Sequence, residues 1–239
     1  MNIHETFNKH KNNFLFFENK KIQDYKSAIL SRFIEQNFDK KNNESLKNVS
    51  INKFFNFNYR YNISEEPSFT KKNKDGSYII VLLNGQCEKY HDENIMIQNL
   101  FSKNENDYLN NKLSDKKDFF VDLNSLFLNS GFKLEVKNNK NVKIKITNII
   151  TEDNLTVFQR NYFICNDSSN VELIEEYENK NDAINNVYNI LNLKKNSIFN
   201  HTIIQDNAND HNLILTTFST CEENALYKQK CYNFSDGYV

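Results

Sequence analysis

The chain has 239 residues, 38% of them hydrophobic and 13% aromatic, which supplies a real core for one large domain or two modest ones. Thirty basic residues against thirty-one acidic ones leave a net charge of -1, without the one-sided basic field that phosphate-backbone binding needs, so no nucleic acid partner is expected. Mean hydropathy is -0.73, and no apolar run approaches a membrane span or a secretory leader, so the chain is expected to be cytoplasmic and to have no membrane partner.

In chain order, a first helix is predicted around Ile3 to Phe17. Beyond it, Ile22, Tyr25, Ile29 and Phe33 recur at helical steps and place an apolar face on a second. Between Asp39 and Lys74 the periodicity fades into a polar connector that holds the sole proline, Pro67. Tyr78 to Leu83 reads as a strand ending in Asn84-Gly85, the dipeptide that most readily supplies two positive-φ residues to a tight hairpin turn. Ile95 to Leu113 reads as helical. A further helix is predicted to start at a Ser114 or Asp115 cap, to carry Phe119, Leu123, Leu126 and Phe127 on one face, and to stop at Gly131.

After Gly131 the period changes from 3.6 to 2. Leu134, Val136, Val142, Ile144 and Ile146 alternate with polar residues, and later stretches around Val157, Val171, Val187, Phe199, Leu213 and Leu226 follow at steps of roughly 12 to 16 residues. Regularly spaced short strands fit either a sandwich or a solenoid. With four glycines in the chain, the turns must rely on Asn, the non-glycine residue that best tolerates the left-handed region.

The signatures of common catalysis are missing: there is no Gly-rich phosphate loop, no nucleophile elbow and no His-Glu-x-x-His helix. His201, His211, Cys221 and Cys231 are potential soft-metal ligands spaced ten apart, but positions ten apart drift along strands that step by more; buried thiols and surface or turn histidines are the simpler reading. Cys87 with His91 lacks a second pair. Glu175-Glu176 and Glu222-Glu223 are adjacent strand residues that point to opposite faces, so neither pair can flank one bond, and solvated roles are expected. Asp206 to Asp210 reads as a turn, not a calcium loop. No catalytic, cofactor-binding or metal residue is assigned, and the four scattered cysteines read as free thiols.

The run Phe120-Val-Asp-Leu-Asn-Ser-Leu-Phe-Leu-Asn-Ser-Gly-Phe-Lys-Leu-Glu-Val136 resembles the stretch that precedes the core of the SufB/SufD family, the iron–sulfur assembly scaffolds of the SUF system. Val81-Leu-Leu-Asn-Gly85 resembles that family's strand and turn just upstream. Downstream, Gln159-Arg160-Asn161, Val171 to Glu175, Asn186 to Leu191 and Ile204-Gln205 resemble its successive rungs, in family order. The family's N-terminal motif is blurred into Phe57-Asn-Tyr-Arg-Tyr61, and the long region before the core favours SufD over SufB.

The resemblance implies a mainly β fold, a right-handed parallel β-helix behind an N-terminal helical region: helices and connector over 1–77, a strand, turn and helices leading into the core over 78–131, and the β-helix over 132–239. It also implies a non-enzymatic scaffold that pairs with SufB and binds the ATPase SufC, whose nucleotide-driven movement exposes a site for a transient iron–sulfur cluster. No small-molecule substrate is implied. The family's cluster-chemistry residues and its SufC-docking helices fall in its later part, so no residue here is assigned to them; the β-helix is expected to be incomplete at the C-terminus and to bind SufC poorly. Arg160, Glu175, Asn186 and Gln205 are expected to fix turns or form polar ladders within the solenoid. Two alternatives are a secreted-type β-solenoid enzyme acting on polysaccharide and a free-standing binding module.

Overall fold

The alternating pattern that begins near residue 130 is laid down as strands that pass back and forth between two sheets. The computed structural model describes residues 7–9, 20–35, 68–100, 118–178, 182–206 and 212–234. Within them the order is α1 (Lys20–Glu35), β1 (Phe69–Lys72), β2 (Tyr78–Leu83), β3 (Tyr90–His91), β4 (Ile95–Asn99), α2 (Phe119–Phe127), β5 (Ser130–Val136), β6 (Asn141–Ile149), β7 (Leu155–Cys165), β8 (Asn170–Tyr177), β9 (Ala183–Leu193), β10 (Ile198–Gln205), β11 (Asn212–Cys221) and β12 (Leu226–Asn233). One sheet runs β1-β2-β6-β8-β10-β12 and the other β11-β9-β7-β5-β4-β3. From β5 onward each strand pairs in parallel with the strand two places later. The fold is therefore a parallel β-solenoid of about three turns, with a few helices from the N-terminal part of the chain. Among the described residues, no helix is long and apolar enough to cross a membrane.

Asn196 and Asn224 take the same place in successive coils and are 28 residues apart. The spacing of roughly 12 to 16 residues read from the sequence is thus half a coil, one strand of two. Along one edge the sheets are joined by turns at 137–140, 166–169, 194–197 and 222–225. The third residue of each lies in the left-handed region: Asn139 (φ 57°), Ser168 (57°), Asn196 (56°) and Asn224 (57°). Each of the first three donates its N–H to the next coil, to the carbonyls of Asp167 (2.9 Å), Lys195 (2.9 Å) and Glu223 (3.0 Å). Asn supplies the turns as the composition required, Ser168 excepted.

The Asn84-Gly85 turn forms with φ values of 52° and 75°, and Gln86 N–H closes it on Leu83 O at 2.9 Å. The hairpin beyond it is a single bridge, Leu83 to Gln86, because β2 instead pairs in parallel with β6. Through β2 and β4, the segment before residue 132 shares both sheets with the segment after it.

Three expectations for the middle of the chain are corrected. Ile95 to Asn99 is a strand, not the start of a helix: Ile95 and Ile97 alternate with Met96 and Gln98, and the segment pairs antiparallel with β5. The remainder of that predicted helix, 101–113, lies outside the described residues. The cap of α2 is Asp118, whose carboxylate accepts the N–H groups of Phe120 (2.9 Å) and Val121 (3.1 Å); 114 and 115 lie outside the described residues. Gly131 does not end the helix. It sits within β5 at φ 144°, where a Cβ would lie 2.0 Å from the carbonyl oxygen of Arg160 on the next coil.

Phe119, Leu123, Leu126 and Phe127 are buried as predicted, with Ile29 and Phe158 in the same cluster. Tyr25 packs against that cluster from α1, whereas the side chains of Ile22 and Phe33 lie outside the described residues. The α1 helix docks on α2 through an Arg32–Asp122 ion pair, with Arg32 Nε 3.1 Å from Oδ2. Residues 7–9 are helical, and Phe7 meets Phe127 edge-on; the rest of the predicted first helix lies outside the described residues. Because α2 covers the outward side of β7 and β9, these strands are buried on both faces. The expected alternation survives on β6, β8 and β10, whose outward side carries no described helix.

Candidate functional site

Inside the coil, side chains align in columns set by the register. On one sheet Val142, Val171, Phe199 and Tyr227 form the first column, then Ile144, Leu173, His201 and Gln229, and then Ile146, Glu175, Ile203 and Cys231. The facing sheet contributes Phe132, Asn161, Asn189 and Thr217 in one column and Leu134, Phe163, Leu191 and Ser219 in the next. Apolar columns make the main core next to the turn edge. A second apolar cluster of Tyr177, Val187, Ile203 and Leu213 lies further across.

A polar seam runs between these clusters. Gln159 Nε2 donates to Asn148 Oδ1 (3.3 Å) and Asn161 Oδ1 (3.0 Å), Asn161 Nδ2 to Asn189 Oδ1 (2.9 Å), and Asn189 Nδ2 to Glu175 Oε2 (3.2 Å). Glu175 also accepts the Tyr177 hydroxyl at 2.9 Å and meets His201 Nε2 at 2.9 Å; both side chains of that pair are wholly buried. His201 Nδ1 lies 3.2 Å from the Tyr227 hydroxyl, which donates to Gln229 Oε1 at 2.7 Å, and Gln229 Nε2 reaches Cys231 Sγ at 3.2 Å. The seam therefore passes from the solenoid interior to an exposed thiol on β12. Burial, reinforced by the Glu175 carboxylate, pushes the phenol pKa values of Tyr177 and Tyr227 upward, which keeps both as donors.

The solvated role read for the Glu175-Glu176 pair fails for Glu175, which is fully buried in a polar ladder of the kind that the family resemblance implied, and His201 is an interior residue, not one of a surface or a turn. Residue type alone could not separate Glu175 from Glu176; the register does, since inward positions on β8 are Val171, Leu173, Glu175 and Tyr177. Glu176 points out to Lys145 at 2.7 Å, so the opposite orientation of the two carboxylates is observed. Glu222 and Glu223 are exposed and meet Lys194 (2.7 Å) and Lys195 (3.2 Å) from the preceding coil.

The potential metal ligands do not gather. Cys221 lies opposite Leu193 at the turn edge, Cys231 opposite Ile203, and His211 lies outside the described residues. Among the described residues, no three His, Cys, Asp or Glu side chains come together as a metal site. Cys87 is a core thiol whose pKa burial pushes up to about 12, while His91 is exposed beside Lys137 Nζ at 3.3 Å. Asp206 is described, and 207–210 are not.

On the outward side of the other sheet, Arg160 lies under α2. It donates to Asn124 Oδ1 (3.0 Å) and Ser125 Oγ (2.6 Å), and its guanidinium lies 5.4 Å from the centre of the Tyr188 ring. Asn124 Nδ2 donates to the carbonyls of Gln159 (3.0 Å) and Asn186 (2.9 Å), and Asn186 Nδ2 to that of Phe120 (3.1 Å). These residues bolt the helix to the coil. Lys26 of α1 is buried nearby, and burial, with Arg160 adding repulsion, lowers its pKa to about 7. Gln205 is an inward residue at the end of β10.

Residues 148–239 match the family described as SUF system FeS cluster assembly, SufBD core domain. The matched stretch begins at the end of β6 and takes in β7 to β12. It supports the SufB/SufD family and a role in SUF iron–sulfur cluster assembly. No curated protein and no solved structure matches the chain.

Proposed function

We propose that the chain is a SufD-type scaffold subunit that serves iron–sulfur cluster assembly in the cytoplasm, in a complex with SufB and the ATPase SufC. It holds partners and performs no chemistry of its own; the cluster is a transient cargo of the assembled complex. The match of residues 148–239 to the SufBD core carries this reading. The geometry agrees with a rigid frame: the interior polar side chains of the matched coils bind one another, and the outward ones near α2 bind the helix.

Co-expression with tagged SufB and with SufC tests it. The chain is expected to co-elute with tagged SufB through affinity and size-exclusion steps, with SufC held only weakly, and its gene, where it rescues growth, to do so in cells lacking SufD and not in cells lacking SufB. Recovery of neither partner overturns the scaffold reading. Rescue of the SufB-deficient cells instead overturns the SufD assignment.

A further inference from the structure

The outward face of the sheet containing β6, β8, β10 and β12, walled beside β6 by Asn73, Ser77 and Ile79 of the β1–β2 hairpin, forms a groove of about 620 Å³. The register lays two rows across it: Lys143, Glu172, Asn200 and Lys228 in one, Lys145, Ile174, Thr202 and Lys230 in the other. A lysine pair therefore stands at each end, three strand spacings apart, or about 14 Å. The floor between them is polar or neutral except for Glu172, and Ile174 at its centre is 40% exposed.

The two ends are not equivalent. Lys143 is held by Glu172 at 3.3 Å and Lys145 by Glu176 at 2.7 Å. Lys228 and Lys230 are exposed and have no carboxylate within ion-pair distance among the described residues. Four lysines against Glu172, Glu176 and Asp75, the last within electrostatic reach of Lys143, leave an excess of one positive charge that is concentrated at Lys228 and Lys230, on a chain whose net charge is -1. An apolar centre flanked by cations is complementary to a ligand with an apolar middle and separated negative ends.

We infer that this groove takes an acidic segment of a partner protein, extended across the strands. An extended chain advances about 3.3 Å per residue, so carboxylates four positions apart span about 13 Å and reach both lysine pairs, with an apolar side chain between them over Ile174. One small anion cannot bridge the two ends, and Glu172 between them opposes a continuous phosphate backbone. The inference stands apart from the scaffold reading and survives or fails without it.

The test uses the full chain and labelled twelve-residue peptides of Ala and Ser with Leu at position 6 and Asp at positions 4 and 8, read by fluorescence anisotropy. Binding is expected to weaken about tenfold in Lys228→Glu/Lys230→Glu, and by a similar factor when the two Asp are made adjacent. Both lysines are exposed, so circular dichroism of the variant should be unchanged. The proposal is overturned by no binding at millimolar peptide, by affinity that survives the double substitution or the moved Asp, or by an oligothymidine that binds more tightly than the spaced peptide.

Discussion

Glu175 and His201, on adjacent parallel strands, meet at 2.9 Å in the middle of the coil, and neither side chain touches solvent. His201 bridges the seam through both ring nitrogens, Nε2 to Glu175 and Nδ1 to the Tyr227 hydroxyl at 3.2 Å. The pair is the centre of a seam that ties the two sheets together through Asn189.

Breaking this pair from one side should be far worse than removing it whole. Glu175→Leu or His201→Leu alone is expected to lose about 3–5 kcal/mol, because each leaves a buried polar partner uncompensated. The double variant should cost clearly less than the sum, with a coupling above about 2 kcal/mol in urea unfolding. Additive losses would mean that the two residues act separately.

Two glycines provide a matched comparison. Gly131→Ala should cost about 3 kcal/mol or more, since its Cβ would meet the Arg160 carbonyl inside β7. Gly76→Ala, at φ 83° with nothing within 4 Å of the added atom, should cost only about 1 kcal/mol. Thermal or urea unfolding of the two variants side by side checks the ratio.

Lys26 gives the fold a pH dependence of known sign. Burial lowers its pKa to about 7 from an ordinary value of 10.5, so between these limits the unfolded chain holds a proton that the folded chain does not. Its contribution to stability therefore rises with pH above about 7, approaching about 1.4 kcal/mol per pH unit, and levels off near the unfolded value. Relative to Lys26→Met, the urea midpoint of the parent chain should climb from pH 7 to pH 9. Parallel pH profiles would refute the assignment.

Much of the solenoid was legible because its determinants are local. Alternation along Val142, Ile144 and Ile146 requires only that one face of a strand be buried, and Asn139, Asn196 and Asn224 advertise the left-handed turns by residue type. What the sequence hid depends on contacts distant along the chain. The expected alternation fails at β7 and β9 because α2 lies over them, held by Asn124 and Arg160 across 36 residues of sequence. Ile95 to Asn99 is too short for periodicity to separate a strand from a helix, and its pairing with β5 decides the matter. By residue type alone Glu175 and His201 read as surface residues, and although the family resemblance implied a ladder for Glu175, the 28-residue register is what turns the two toward each other.

The four short links along one edge share a length and a backbone shape, so that edge acts as a ruler for the whole coil. One residue inserted there would send every later side chain of its strand to the wrong face. The opposite edge, where the links 150–154 and 178–182 have five residues and 206–211 has six, is where residues can be gained or lost. A grafted loop or affinity tag belongs on that margin, where it leaves the phase of the coil intact.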